Sequence, residues 1–207
     1  RQSGLVPELT GKIVFEPEYR VPEALGGMEG YSWLWLLWGF SESPRNKWSP
    51  TVRPPRLGGN KKAGVFATRS PFRPNPVGMS SVKIEDIQLH TEDGPVIVVS
   101  GIDMMNGTPI YDIKPYLPYT DSHPDAAGGF AAPLESYQLQ VIFPEQWLQM
   151  IPVPLREGLI HLLEQDPRPA YQSDPNRIYG VAFSSFDVRF TVQGQVLTVC
   201  EVERLND

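Results

Sequence analysis

The sequence predicts a mainly β fold, a barrel or sandwich of short strands, with a small α+β appendage at its C-terminal end. Three observations predict it. The 207 residues include 22 Pro and 18 Gly, so the chain turns often and long helices cannot dominate. Short apolar or alternating runs recur between Gly and Pro punctuation, with no long helical pattern alternating with them, which disfavours a βαβ sheet. Helical periodicity enters only after Phe143. An apolar fraction of 41% is enough for a core, and the length suits one domain with a small addition.

The elements follow in order. Strands are expected at Lys12–Phe15, Tyr31–Phe40, Gly64–Thr68, Gly78–Leu89, Val96–Met104 and Tyr137–Phe143. Tyr31–Phe40 is apolar without a clean period, which suits a strand buried on both faces, although periodicity alone leaves a buried helix open. At about ten residues it is too short to span a bilayer as a helix. Pro154 suits a first helical turn, and Leu155, Leu159, Leu162 and Leu163 follow at helical spacing until Pro167 and Pro169 end the run. Ile178–Phe183, Phe186–Val192 and Val196–Val202 then read as three strands, with Gln193-Gly194 turning between the last two. No internal repeat or low-complexity tract appears.

Several chemistries are disfavoured by what is missing. The single cysteine, Cys200, excludes an internal disulfide framework and a cysteine cluster for zinc. It lies in an apolar strand-like run and is expected to be a buried, inert thiol. His90, His123 and His161 are far apart and show no ligand spacing, so no metal site is expected. There is no G-x-S-x-G elbow, no Walker loop and no dinucleotide-binding Gly-x-Gly pattern. No secretory pattern opens the chain; it begins at Arg1 without a Met, so a piece can precede it.

Charge is segregated. Between Glu42 and Glu85 lie nine of the 18 Lys and Arg and none of the 24 Asp and Glu, in a chain of formal net charge -6. A face of one sign acts on partners even when the total charge opposes them. The segment points to an anionic partner, a nucleic-acid backbone above all, against the alternative of a solvated loop paired with acidic neighbours.

Three polar clusters stand out. Val52–Asn60, VRPPRLGGN, presents Arg53 and Arg56 from a proline-stiffened loop, and Gly58 and Gly59 allow close backbone approach. Gly64–Ser80 offers Arg69, Ser70, Arg73 and Asn75 from a loop held by Pro71, Pro74 and Pro76; arginine suits bidentate binding of carboxylate or phosphate. Asp103–Tyr116 holds an Asn106-Gly107 turn and, on an extended segment, Asp112 and Lys114 on one side. Those two could pair with each other or orient a substrate.

The segments GVFATRSPFRPNPVGMS, WSPTVRPPRLGGN before it and NGTPIYDIKPYLPY after it closely resemble the TsaA-like/TrmO family of tRNA methyltransferases. The resemblance runs from Arg1 to about Phe143, and QDPRPAY at Gln165–Tyr171 extends it into the appendage. It implies a β-barrel domain over residues 1–143 that binds S-adenosylmethionine without a Rossmann fold, with the family's first strand expected before Arg1, and a small α+β C-terminal domain over 144–207. The implied activity is methylation of N6 of threonylcarbamoyladenosine at tRNA position 37, beside the anticodon, by a cytoplasmic homodimer. A non-catalytic RNA-binding module on the same barrel, or a methyltransferase with another acceptor, stays open.

Carried over by the family pattern, the cofactor positions are Arg1, Gln2, Ser41, Glu42, Arg69, Met79, Met105, Asn106, Gly107 and Thr108. Arg69 would bind the carboxylate of the methionine part or of the acceptor's threonyl group. Asp112 is the expected proton acceptor for an N6 whose lone pair is delocalised. Arg53, Arg56, Lys61, Lys62 and Arg73 are expected on tRNA phosphates, with Arg168 and Tyr171 adding contacts. The chain departs from the family in having Asn106 for Asp, Ser41-Glu42 for His-Gln and Trp33 for His. Asn106 keeps an acceptor oxygen for a ribose and cannot serve as a base.

Overall fold

The computed structural model describes residues 3–4, 6–41, 48–54, 61–130, 138–168 and 174–205. Two compact units emerge, Arg1–Val52 with Ala63–Ala126, and Arg53–Lys62 with Ala127–Asp207.

The first unit carries β1 (Thr10–Val14), β2 (Trp33–Gly39), β3 (Thr51–Val52), β4 (Ala63–Gly64), β5 (Val77–Thr91), β6 (Gly94–Ser100), β7 (Ile110–Pro115) and the short helix α1 (Pro118–Asp121). Five strands form one antiparallel sheet in the order β1-β6-β5-β2-β7. The fold is thus mainly β, as the sequence predicts; among the described residues β1 and β7 remain the two edges of this sheet. Beneath it lies a core of Ile13, Leu34, Leu36, Val82, Ile97 and Val99, each at most 5% exposed. Truncating one of its leucines to alanine costs about 2–5 kcal/mol.

Strand β2 differs from expectation. It is buried on one face only: Leu34, Leu36 and Trp38 point into the core, while Trp33 is exposed and Trp35 and Leu37 are half-buried opposite them. The predicted strand Gly64–Thr68 also differs. Only β4 pairs, and Val65–Ala67 is a 3-10 turn. The Thr68 hydroxyl donates back to the Val65 carbonyl at 2.8 Å, a local bond that competes with a sheet ladder.

Two bulges set which side chains reach the core. Between Ile84 and Asp86 the β5–β6 register skips Glu85, and between Leu37 and Trp38 the β2–β7 register skips Tyr111. Each extra residue reverses the alternation that follows. As a result Ile84 and Ile87, and likewise Ile110 and Ile113, all pack on the core although each pair is three residues apart.

Asp121 fastens the end of this sheet. Its Oδ2 accepts the Leu117 N–H at 2.9 Å and the Trp35 Nε1–H at 2.8 Å. Those bonds, the backbone one first, hold its carboxyl below the ordinary 3.8. A depressed folded pKa stabilises fully above the unfolded value and loses that contribution as pH falls through the folded one. Asp121→Asn is therefore expected to lower the melting temperature at pH 7. The difference from wild type should shrink as pH drops below about 3.8, followed by thermal melts across pH.

The second unit holds β8 (Gln140–Ile142), α2 (Glu145–Leu148), α3 (Val153–Glu164), β9 (Tyr179–Phe183), β10 (Phe186–Gln193) and β11 (Val196–Arg204). Its sheet runs β8-β11-β10-β9, with β8 parallel to β11 and the rest antiparallel. Pro154 sits in the first turn of α3, whose buried face is Gly158, Leu159, Leu162 and Leu163. The helix stops at Glu164, ahead of Pro167, and Asp166 takes a left-handed φ of 51°. Cys200 corrects the expectation of a buried thiol: it is exposed. The β10–β11 register passes from Glu201 to Val199, which makes Cys200 the bulged residue and turns it out of the Val199 and Val202 face.

Candidate functional site

A cavity of about 200 Å³ opens where β2 ends and the segment after β6 passes beside it. Trp38 and Phe40 form an aromatic wall, their ring centroids 4.6 Å apart and tilted by 58°. Opposite them lie Met104, Met105 and Thr108, with Ser41 at the edge and Asp103 as the sole carboxylate of the lining among the described residues. The turn over Met105–Thr108 is closed twice on the Met105 carbonyl, by the Thr108 N–H at 3.2 Å and its hydroxyl at 2.7 Å. Gly107 takes φ 75° there, the left-handed value expected of Asn-Gly turns.

Asp103 is held by a short relay. Trp38 Nε1–H donates to Ser80 Oγ at 2.9 Å, and the Ser80 hydroxyl donates to Asp103 Oδ1 at 2.7 Å. Ser80 is 1% exposed, so the shared hydroxyl is protected from water and fixes both the indole and the carboxylate. Trp38 can lie flat here because residue 78, directly opposite it on β5, is glycine; a Cβ there would meet the indole ring. A larger hollow of about 330 Å³ in the second unit, beside Leu155 and Phe186, contains none of the sequence-predicted site residues.

The structure separates the predicted residues into groups. Ser41, Met105 and Thr108 line the cavity, and Asn106 and Gly107 belong to the same turn. Met79 and Asp112 do not line it. Both register against Leu37, from opposite sides of β2, and so share the face of the sheet that turns away from Trp38. There Asp112 pairs with Lys114 at 2.9 Å, both half-exposed, and hydrogen bonding from Lys114 holds the Asp112 carboxyl below its ordinary range. Such a carboxylate is a weak base, and the pair matches the loop-shaping alternative.

The remaining candidates lie elsewhere. Arg69 is exposed on the loop after β4. Arg73 is half-buried, donating Nη1–H to the Thr68 carbonyl at 2.9 Å, with its guanidinium 6.0 Å from the Phe66 ring centroid. Arg53, Lys61 and Lys62 are exposed in the second unit. Arg168 makes a forked pair with Asp166, two bonds of 2.7 Å, and stacks 5.8 Å from Tyr179. Arg1, Gln2, Glu42, Arg56 and Tyr171 lie outside the described residues.

Sequence reasoning missed Trp38, Phe40, Ser80 and Asp103 as a working set. Asp103 and Ser80 stand at the margins of two motifs, but their link spans 23 residues and that of Ser80 to Trp38 spans 42, so no local spacing reveals it.

Residues 1–122 match the tRNA-methyltransferase O N-terminal domain, and residues 136–205 match the TrmO C-terminal domain. The chain belongs to the tRNA-methyltransferase O family. It is 40% identical over 200 residues to the tRNA (adenine(37)-N6)-methyltransferase of Escherichia coli, covering 93% of this chain and 85% of that protein. The crystal structure of TrmO from Pseudomonas aeruginosa superposes with a TM-score of 0.73 at 33% identity, over 98% of this chain and 89% of the other. A relative in Methanothermobacter thermautotrophicus, named a probable S-adenosyl-L-methionine-binding protein, is 39% identical over 106 residues, covering 51% of this chain and 69% of that protein. Of the motifs that carry the TrmO resemblance, one runs along the Arg69 loop to Ser80, which bonds Asp103, and another supplies Thr108 to the cavity.

Proposed function

We propose that this chain is an S-adenosylmethionine-dependent tRNA methyltransferase acting on adenine N6 at position 37, with N6-threonylcarbamoyladenosine as its acceptor. The observation that carries the reading is the Trp38–Ser80–Asp103 relay, which fixes a carboxylate in an aromatic-walled cavity of a TrmO-family chain. The lining fits the cofactor by its chemistry. Trp38 and Phe40 offer flat apolar faces to an adenine, and electron-rich rings and thioethers tolerate a sulfonium better than aliphatic walls do. Asp103 has acceptor capacity beyond the single Ser80 bond, which suits ribose hydroxyls or the positive sulfur.

When bound, the cofactor supplies a methyl group on a positively charged sulfur. The chain's own contribution is alignment and exclusion of water, which in-line displacement needs more than it needs a strong nucleophile. Met105 and Thr108 of the turn line the cavity, Asp103 holds the cofactor electrostatically, and Arg69 offers a guanidinium to a carboxylate. Arg53, Lys61 and Lys62 serve tRNA phosphates. The methyltransferase domain is assigned to residues 1–143, and residues 144–207 add tRNA contacts. We assign the assembly as a homodimer in the cytoplasm, joined through the sheet face on which Trp33, Val77, Met79 and Tyr111 are exposed.

The test is methyl transfer in vitro. Purified protein, labelled cofactor and threonylcarbamoylated tRNA are expected to yield a methylated nucleoside at position 37, found by mass spectrometry, with unmodified tRNA a poor substrate. Equal rates on modified and unmodified tRNA would remove the acceptor assignment. Cofactor binding without methylation of any tRNA would leave a binding module.

A further inference from the structure

Three aromatic side chains in the first unit point into solvent from one small, tightly braced region. Trp48 is 55% exposed, Phe66 73% and Phe72 42%. Backbone hydrogen bonds bring them together across the chain. The Ser49 N–H donates to the Phe72 carbonyl at 3.0 Å, which brings the backbone next to Trp48 against Phe72. The Val65 N–H donates to the Pro50 carbonyl at 3.0 Å, which brings the turn carrying Phe66 against the same strand start. Thr51 and Val52 pair with Gly64 and Ala63 between these two contacts.

The region is stiff in its own right. Thr68 bonds back to Val65, the Ser70 N–H donates to Thr68 Oγ1 at 3.2 Å, and the Phe72 N–H donates to Ser70 Oγ at 3.2 Å. Arg73 braces Phe66: its guanidinium lies by the ring while Nη1 is held by the Thr68 carbonyl. Large apolar rings kept in water on a rigid frame cost solubility without adding to the core, so their exposure calls for a partner. The surrounding chain says which kind. From residue 43 to residue 84, the stretch of sequence that holds all three rings, there are nine basic and no acidic residues, a composition that favours a polyanion.

We propose that Trp48, Phe66 and Phe72 form a stacking platform for unpaired bases of the tRNA anticodon loop. The inference rests on the tRNA reading above and specifies how that site holds its substrate. Every base has a π face, so aromatic stacking retains a single-stranded loop without reading its sequence, and Arg69 and Arg73 of the same loop offer cations to its phosphates. Duplex stems offer no free base faces and gain nothing from such a platform.

The experiment compares wild type with Phe66→Ala and with Phe66→Ala, Phe72→Ala. It measures binding to a synthetic anticodon stem-loop RNA and to a fully paired RNA of equal length, and methylation of threonylcarbamoylated tRNA. The single substitution is expected to weaken stem-loop binding by about 5- to 100-fold and to raise KM for tRNA accordingly. Duplex binding and S-adenosylmethionine affinity by titration should stay as in wild type, the latter showing an intact fold. The salt dependence should keep its slope, because no phosphate contact is removed, and Phe66→Tyr should restore binding. Unchanged stem-loop affinity and KM in the double variant would overturn the platform while leaving the methyltransferase reading intact. A variant that binds RNA normally but sediments differently from wild type would also overturn it, marking the surface as a protein contact. Wild type that methylates no tRNA at all would instead count against the function on which the platform rests.

Discussion

Gly78→Val is expected to weaken S-adenosylmethionine binding at least tenfold in a protein that still folds. Gly78 stands opposite Trp38 in the β2–β5 ladder, and any Cβ at that position falls under 3.0 Å from the indole Cε2, Cζ2 and Cδ2 atoms. The ring cannot simply move aside. It is 9% exposed within the core, and its N–H is committed to Ser80, which in turn holds Asp103. Displacing the indole therefore disturbs the aromatic wall and releases the carboxylate together. Overpacking of this kind costs about 1–3 kcal/mol of stability, which leaves most domains folded. Isothermal titration should show at least a tenfold loss of cofactor affinity, with the melting transition lowered yet cooperative. Wild-type affinity in the variant would show that the cofactor does not use the Trp38 wall.

The second large effect separates two carboxylates. Asp103→Ala removes the charge of the cavity and the acceptor of the Ser80 hydroxyl, and cofactor affinity should fall by about 1.5–3 kcal/mol, roughly 10- to 150-fold. Asp103→Asn keeps an acceptor for Ser80 and should recover stability before it recovers affinity. Asp112→Asn breaks a half-exposed ion pair with Lys114, a kind of contact that contributes about 0–1 kcal/mol. It should leave cofactor affinity within about twofold and reduce turnover by less than tenfold. A fall in turnover of about 10²-fold at unchanged affinity would instead assign Asp112 the proton-accepting role that the family resemblance suggests.

Much of this architecture is written in local patterns. The strand positions, the helix with Pro154 in its first turn and the Asn106-Gly107 turn follow from periodicity and turn chemistry acting over a few residues. The cavity was legible only in part. Its Met105–Thr108 turn is contiguous in sequence, whereas its wall and its carboxylate meet through hydrogen bonds across 42 and 23 residues, which no window on the chain contains.

Three of the four bulges among the described strands carry a sequence signature; the fourth, between Gln88 and Thr91, does not. Ile84-Glu85-Asp86-Ile87, Ile110-Tyr111-Asp112-Ile113 and Val199-Cys200-Glu201-Val202 share one pattern, an apolar residue, any residue, an acid and an apolar residue. Inside a strand, apolar residues three apart face opposite ways unless one residue is squeezed out between them. In all three cases the second residue of the four is the one skipped. Reading Val199 and Val202 as a bulged pair would have placed Cys200 outside the core from the start, and the same reading at Ile110 and Ile113 sends Asp112 away from the Trp38 face.

The bulge at Tyr111 has a consequence for the protein's behaviour in a crowded solution. Strand β7 is an edge of the five-stranded sheet among the described residues, and a straight edge strand is a template on which another chain can extend the sheet. The squeezed-out tyrosine breaks the regular spacing of that edge, the Asp112–Lys114 pair puts charge along it, and Pro109 and Pro115 at its two ends remove donors from the ladder. The same short segment that looked like a source of chemistry thus acts as a guard against fibrous self-assembly, keeping the edge of an aromatic-rich sheet from recruiting its neighbours.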